Sequence, residues 1–371
     1  MNKLISLATA ALFAAATAGH AGGVDRSGQS ISALFEAGNY LEISFGSVNP
    51  TVSGTQALVF PPSVTGSSSG DMTSGYGFPG FVLKLAISEK VDVAFVYDEP
   101  FGASVSYPFL TTYFATGSSA VLESDAFTGI VKYKFTDKFS IYGGIREQLL
   151  NARATIPFIP GGGYVGTAPN ASGLGYLVGV AYERPDIAMR IALTYNSSIK
   201  HDLKTTETSV LGAGRTSTTE VNTPQSINLD FQTGIAPKTL LFGGVRWVQW
   251  SEFTISPADY TTIVGSPLVS FADDTFTYSL GVGRQLSENW SVAVSATHEP
   301  ATGGLKSNLA PTDGRSAVGL GVTYRQDGFK LQAGLLHIWI GDATTSVFGT
   351  PGGVFTDNTA VAFGFKAGFS F

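Results

Sequence analysis

Apolar and polar residues change places at every second position along most of this chain. At the C-terminal end Phe363, Phe365, Phe369 and Phe371 hold alternate positions, interrupted only by Ala367, with Gly364, Lys366, Gly368 and Ser370 between them. Val131, Tyr133 and Phe135 alternate with Lys132 and Lys134, and Ile227, Leu229 and Phe231 with Asn228, Asp230 and Gln232. Trp290, Val292 and Val294, and then Val318, Leu320, Val322 and Tyr324, repeat the pattern. Period two marks β-strands, and helical spacing is nearly absent.

The connections predicted between these strands are of two kinds. Tight turns fall at "ISEKV", "TDK", "ERPD", "APK", "SEN" and "RQDG". Long Gly-, Ser-, Thr- and Pro-rich connections fall near 57–74, 102–119, 156–171, 205–222, 256–272, 300–314 and 343–357. The two kinds alternate strictly, so both ends of the chain lie on the short-turn side of fourteen strands. The expected fold is all-β, a closed transmembrane antiparallel barrel with apolar residues outward and small or polar residues inward. Closure is needed because an open sheet edge in hydrocarbon leaves backbone groups unpaired, at several kcal/mol each. A soluble secreted sandwich also alternates in this way but does not call for fourteen strands with two classes of connection.

Composition agrees with this reading. Charged residues make up 13% and aromatics 12%, with 45 glycines. Beyond the first twenty residues no run is apolar enough for a membrane helix. A net charge of −6 argues against a nucleic-acid partner, and with no cysteine there are neither disulfides nor thiolate metal sites. Lys3 followed by "LISLATAALFAAATA" reads as a signal sequence spanning 1–21, cleaved after 18 or 21. The barrel is assigned to 39–371. Trp247, Trp250, Trp290 and Trp339 are expected in interfacial girdles, where the amphipathic indole is favoured.

Residues 22–38 are too polar to cross a membrane and too apolar to lie in water. Within them "SISALFEAG" sets Ile31, Leu34 and Phe35 at i, i+3, i+4 between a Ser start and a Gly38 stop, predicting a short helix. Its expected place is inside the barrel as a hatch; the alternative is a disordered tail.

In order along the chain, "RSGQSISALFEAGN", "VNPTVSGT", "ISEKVDVAFVYDEPFGA", "AYERPDIAMRIALTYNSSIKHDLK", "NTPQSINLDFQTGIAPK" and "WVQWSEF" with the terminal Phe resemble the FadL-type long-chain fatty acid transporters of the bacterial outer membrane. The family's usual Asn-Pro-Ala element before the first strand is missing, so the shape of the hatch is left open. The resemblance implies passive transport of hydrophobic molecules across the outer membrane of a Gram-negative bacterium. External loops capture the molecule, an inner pocket against the hatch receives it, and a gap at a kinked third strand releases it sideways into lipid. Phe371 would be read by the barrel assembly machinery. A monomer working without cofactor is expected, with outer-membrane lipid and an apolar small molecule as its partners.

The residues that would carry this route follow. Pro100 removes a backbone donor from a strand ladder and Gly102 permits a kink, so Pro100, Phe101 and Gly102 are the expected lateral gate; a plain strand end is the alternative. Phe109, Phe158, Ile159, Tyr164 and Val165 are apolar residues in otherwise polar loops and are expected to line a capture groove, with loop-on-loop packing as the alternative, while Ile31, Leu34 and Phe35 would meet the ligand from the hatch. Should the ligand be a carboxylate, Arg26, Arg146 or Arg153 would face it. His201, His298 and His337 stand apart, with neither a Ser-His arrangement nor a metal-ligand pair, so no enzyme is expected. The remaining rival is a general diffusion porin for small polar solutes, which would have a charged constriction and an empty lumen.

Overall fold

The computed structural model describes residues 24–58 and 64–371. The expected signal sequence lies outside the described residues. Fourteen antiparallel strands close into one barrel. They are β1 (Tyr40–Thr51), β2 (Tyr76–Ala86), β3 in two pieces (Val91–Asp98 and Gly102–Ser106), β4 (Ser119–Lys134) and β5 (Phe139–Ile156). There follow β6 (Tyr164–Arg184), β7 (Met189–Asn196 and Ile199–Ser209), β8 (Gly212–Thr223 and Ser226–Ala236), β9 (Thr239–Val248) and β10 (Thr275–Gln285). Last come β11 (Trp290–Glu299), β12 (Arg315–Gln326), β13 (Phe329–Ile340) and β14 (Thr359–Ser370).

The ring closes between first and last strands, from Tyr40↔Ser370 to Thr51↔Thr359. The phenylalanine row of β14 faces outward and exposed, as do Ile43 and Phe45 opposite it on β1. Inward positions carry Glu42, Lys84, Asp92, Lys132 and Arg146, all buried. Lys84, Lys132 and Lys134 share Asp92, and Lys366 pairs with Glu42, so the short-turn end of the lumen is filled by ion pairs. An unpaired buried charge is costly, and these pairs remove that cost.

Several expected loops prove to be strand. The stretch near 205–222 is a hairpin from Ile199 to Thr223 that turns at Val210 and Leu211. Its threonines misled the reading by composition, yet Leu203, Thr205 and Glu207 keep period two inward. Likewise β6 resumes at Tyr164, and Gly102–Ser106 pairs with Ser119–Glu123. β6 has 21 residues, whereas a tilted spanning strand needs about 9–11. This flank therefore stands well above the apolar band, with Lys200, Lys204 and Glu220 exposed on its outer side.

Over the loop end, Gly54–Gln56, Leu305–Lys306, Ala343–Val347 and Thr350–Phe355 form a small second sheet. The 249–274 loop carries helix α1 (Ala258–Val264). Trp250 departs from the expected girdle: it is 1% exposed, inside the molecule, edge-on to Phe101 and Phe253. It stands in a turn after β9, whose Trp247 continues the outward strand phase, so the phase rule does not extend to it.

Candidate functional site

The hatch turns at residues 27–29, with Gly28 and Gln29 in the left-handed region, and then makes one 3₁₀ turn, Ser32–Phe35, instead of a capped helix. With only four residues in that turn, the predicted i, i+3, i+4 face is cut short, but its residues still point into apolar surroundings. Ile31 and Leu34 are buried among Ala94, Val96, Ile130, Tyr142 and Leu177. Phe35 lies under two cations, Lys132 Nζ at 4.4 Å and Arg190 at 4.6 Å from its ring, and edge-on to Tyr142. The hatch's C-terminal end is fixed by Lys84 Nζ, which donates to the carbonyls of Glu36 and Gly38 at 2.8 Å, and by the Lys330–Glu36 pair at 2.6 Å. These three residues therefore meet the barrel wall below the hatch, not an open pocket.

The N-terminal end of the hatch makes a different kind of contact. β2 pairs with β3 only from Phe81↔Tyr97 to Ala86↔Asp92. Tyr76–Gly80 continue alongside β1, but β3 turns away at Glu99–Phe101. Its two pieces stay on β4, with Asp98↔Ala126 and then Gly102↔Glu123, so one extra residue is absorbed at the break. In place of β2, the displaced backbone takes the hatch as partner. Arg26 N donates to Pro100 O and Gly102 N donates to Val24 O, both at 2.8 Å. The β2 side resumes at the isolated bridge Thr73↔Val105.

Arg26 fills the resulting window. Its guanidinium lies 4.6 Å over the Tyr76 ring and 3.2 Å from Glu99. A Cβ on Gly102 would overlap that guanidinium, which explains the glycine more directly than a need for bending. Asp25 pairs with Arg246 at 2.7 Å, and Gln29 and Gly28 O accept from Ser226 and Asn228. Below the window a cavity of about 100 Å³ has lumen-facing Ser44, Val82 and Lys366 and outward-facing Phe45, Phe81 and Phe365 in its walls, together with hatch residues Ser27 and Ser30. It thus reaches both faces of the sheet. The β6–β7 ladder is also interrupted, between Leu177↔Asn196 and Thr167↔Thr206, but there Ser197 N donates to Tyr176 O at 2.9 Å and Tyr176 N to Ser197 Oγ.

Above the hatch lies an inner cavity of about 60 Å³ with almost wholly apolar walls, including Val24, Val105, Leu122, Tyr164, Leu203 and Phe253. A larger outer groove of about 270 Å³, under the loops, is bounded by Tyr107, Phe158, Ile159, Tyr260 and Phe348. Leu268 and Leu309 belong to both walls.

The sequence-derived candidates therefore separate. Phe158 and Ile159 line the groove and Tyr164 the inner cavity, but Val165 is exposed on the outward phase of β6. Phe109 is 79% exposed at a loop tip, away from both chambers' walls. Residues whose role the sequence did not reveal are Glu207, buried on the inward phase of β7, and Phe253, Leu268 and Leu309; their loops carry no period from which an inward direction could be read.

The three arginines separate as well. Arg26 is matched by Glu99, and Arg153, although it borders the inner cavity, is exposed on the outward phase. Arg146 is 4% exposed, held by Thr128 Oγ1 at 2.9 Å and Asn196 Oδ1 at 3.4 Å. Among the described residues it is the one buried Lys or Arg without a carboxylate in ion-pair reach.

These chambers suit transfer of an apolar molecule, and the described residues hold no group of His, Asp or Glu able to bind a metal. A family model described as "Outer membrane protein transport protein (OMPP1/FadL/TodX)" matches residues 14–371. No curated protein is matched by sequence. Among solved structures, a Pseudomonas aeruginosa FadL homologue is similar with a TM-score of 0.75 at 14% identity, over 92% of each chain. The Ralstonia pickettii toluene transporter TbuX is similar with a TM-score of 0.65 at 13% identity, over 96% of this chain and 97% of that one. The Pseudomonas putida toluene transporter TodX reaches 0.64 at 11%, over 91% and 90%. At such identities the likeness is one of fold; the family match extends over nearly the whole sequence. The chain therefore belongs to the OMPP1/FadL/TodX family of outer-membrane transport proteins, and is a transport barrel for hydrophobic compounds, not an enzyme.

Proposed function

We propose that this barrel takes apolar molecules from the outside, holds them in the inner cavity and releases them sideways into the outer membrane through the window between β2 and β3. The observation that carries the reading is the exchange of partners at Pro100–Gly102, where the hatch backbone replaces β2. A ladder bonded strand to strand has no weak point. One completed by a separate segment opens when that segment moves, and the barrel itself stays intact. A hydrocarbon gains by leaving water at every stage of such a route, about 25 cal/mol per Å² of apolar surface buried, so no energy source is required.

The toluene transporters named above support a compact apolar cargo, and so does the small, almost purely apolar inner cavity. Arg146 would add a place for a carboxylate, extending the range to fatty acids. Phe109 would act as an exposed first contact on the loops, and Phe371, next to the β1–β14 seam, as the signal to the assembly machinery. The chain would work as a monomer in outer-membrane lipid. A general porin is disfavoured because hatch side chains and ion pairs occupy the lumen.

The test is photolabelling of cells by a diazirine-bearing alkane supplied from outside. Labelled peptides should include 24–30 and 76–82, which border the window. Labelling confined to the short-turn end, around Lys84 and Lys330, would favour axial passage and sink the lateral route.

A further inference from the structure

The 249–274 loop between β9 and β10, together with Leu309, forms the partition between outer groove and inner cavity. It gives Phe253 and Ile255 to the cavity, Tyr260 and Val264 to the groove, and Leu268 to both. At its base Ser251 Oγ donates to Asp274 at 2.6 Å, and Thr254 pairs with Ser270, so the loop is a preformed flap. Its tip is held by a polar contact in otherwise greasy surroundings. The Glu207 carboxylate, 1% exposed, accepts from Asp259 N at 3.0 Å, Tyr260 N at 3.2 Å, Tyr164 Oη at 3.1 Å and Ser217 Oγ at 3.1 Å. Beside it, Asp259 receives Arg215 Nε at 3.0 Å and Ser209 Oγ at 3.3 Å.

We propose that this loop is the gate between the two chambers and that Glu207 is the positioning residue that sets how readily it opens. A buried carboxylate costs free energy unless donors surround it, and apolar packing alone would have held the flap more simply. The two kinds of fastening respond differently to cargo. A hydrocarbon solvates apolar contacts and would loosen a flap held by them. It offers nothing to a carboxylate and its donors, so this pin holds while the groove is full and releases by loop fluctuation. The gate rests on the transport route proposed above.

The chain has no cysteine, so one pair can be added without competing thiols. Ser209→Cys with Asp259→Cys would tie the tip of the flap to the hairpin. In proteoliposomes loaded with radiolabelled toluene from the loop side, the oxidised pair should take up roughly a tenth as much as the reduced pair, and reductant should restore the rate. Glu207→Gln, which keeps the size and one acceptor, should raise maximal uptake and half-saturating concentration together, a split that mere destabilisation does not produce. Equal uptake by oxidised and reduced pairs overturns the gate, as does a pair that will not close on oxidation. If the wild type takes up no toluene or fatty acid at all, the transport reading fails first and the gate falls with it.

Discussion

β2–β3 and β5–β6 are both antiparallel neighbours in one barrel, yet the first pairs over six residues and the second over seventeen with a single bulge. On the long seam the wall is completed by the next strand out past the membrane, as far as Ile156↔Tyr164 beside the hairpin that carries Glu207. On the short seam the wall is completed by the hatch. The difference teaches that, on the route proposed above, the place of opening is set by which backbone partners which. Side-chain character along the seam does not mark the window: Phe81 at its lower edge is an outward aromatic like others on the wall, and Tyr97 beside it donates its hydroxyl to Asp125.

Three changes would break or sharpen that contrast. The largest effect is expected from Asp25→Ala, which leaves Arg246 buried without its carboxylate and should weaken hatch docking by about 3–5 kcal/mol. Single-channel conductance in planar bilayers should then rise above the wild type; conductance that stays at the wild-type level would mean another contact holds the hatch. Next is Arg146→Met. It should reduce fatty acid uptake about tenfold, the value of a charged hydrogen bond, and leave toluene uptake alone. Arg153→Met, on the outward phase, should change neither, so an equal loss in both variants would remove Arg146 from the route. The smallest effect belongs to Val165→Thr on the exposed outer face of β6. Thermal unfolding should show a change within about 0.5 kcal/mol and uptake should be unaltered; a larger loss would show that the raised flank is packed against something on its outside.

The barrel was legible in the sequence because period two survives wherever one face meets lipid. Phe363, Phe365 and Phe369 announce both the strand and its outward side. Above the membrane the outer face is polar as well and threonines share the inner one, so Thr205 and Thr219 looked like loop although the alternation persisted. Pro100 and Gly102 were legible as a kink because proline and glycine act locally. That the hatch would pair with them was not legible, since hydrogen bonds between backbone groups more than seventy residues apart leave no trace in residue type. Among the loop residues, Phe158 and Ile159 were found as stranded apolar groups, whereas Glu207 looked like one more polar residue in a polar stretch. Val165 shows the opposite failure: it is apolar, adjacent to Tyr164, and points the other way because successive strand residues must.

The fastening of the hatch at its far end has a consequence for repeated use. Lys84 and Lys330 grip Glu36 and Gly38 just before the chain enters β1, while the contacts at Val24 and Arg26 lie about a dozen residues away. A stopper leashed so closely remains at millimolar effective concentration over its own seat, of order that for a short flexible linker. On the proposed route it would swing aside without being lost, so each passage would end with the seal re-forming spontaneously and the cell's outer barrier would not be left ajar.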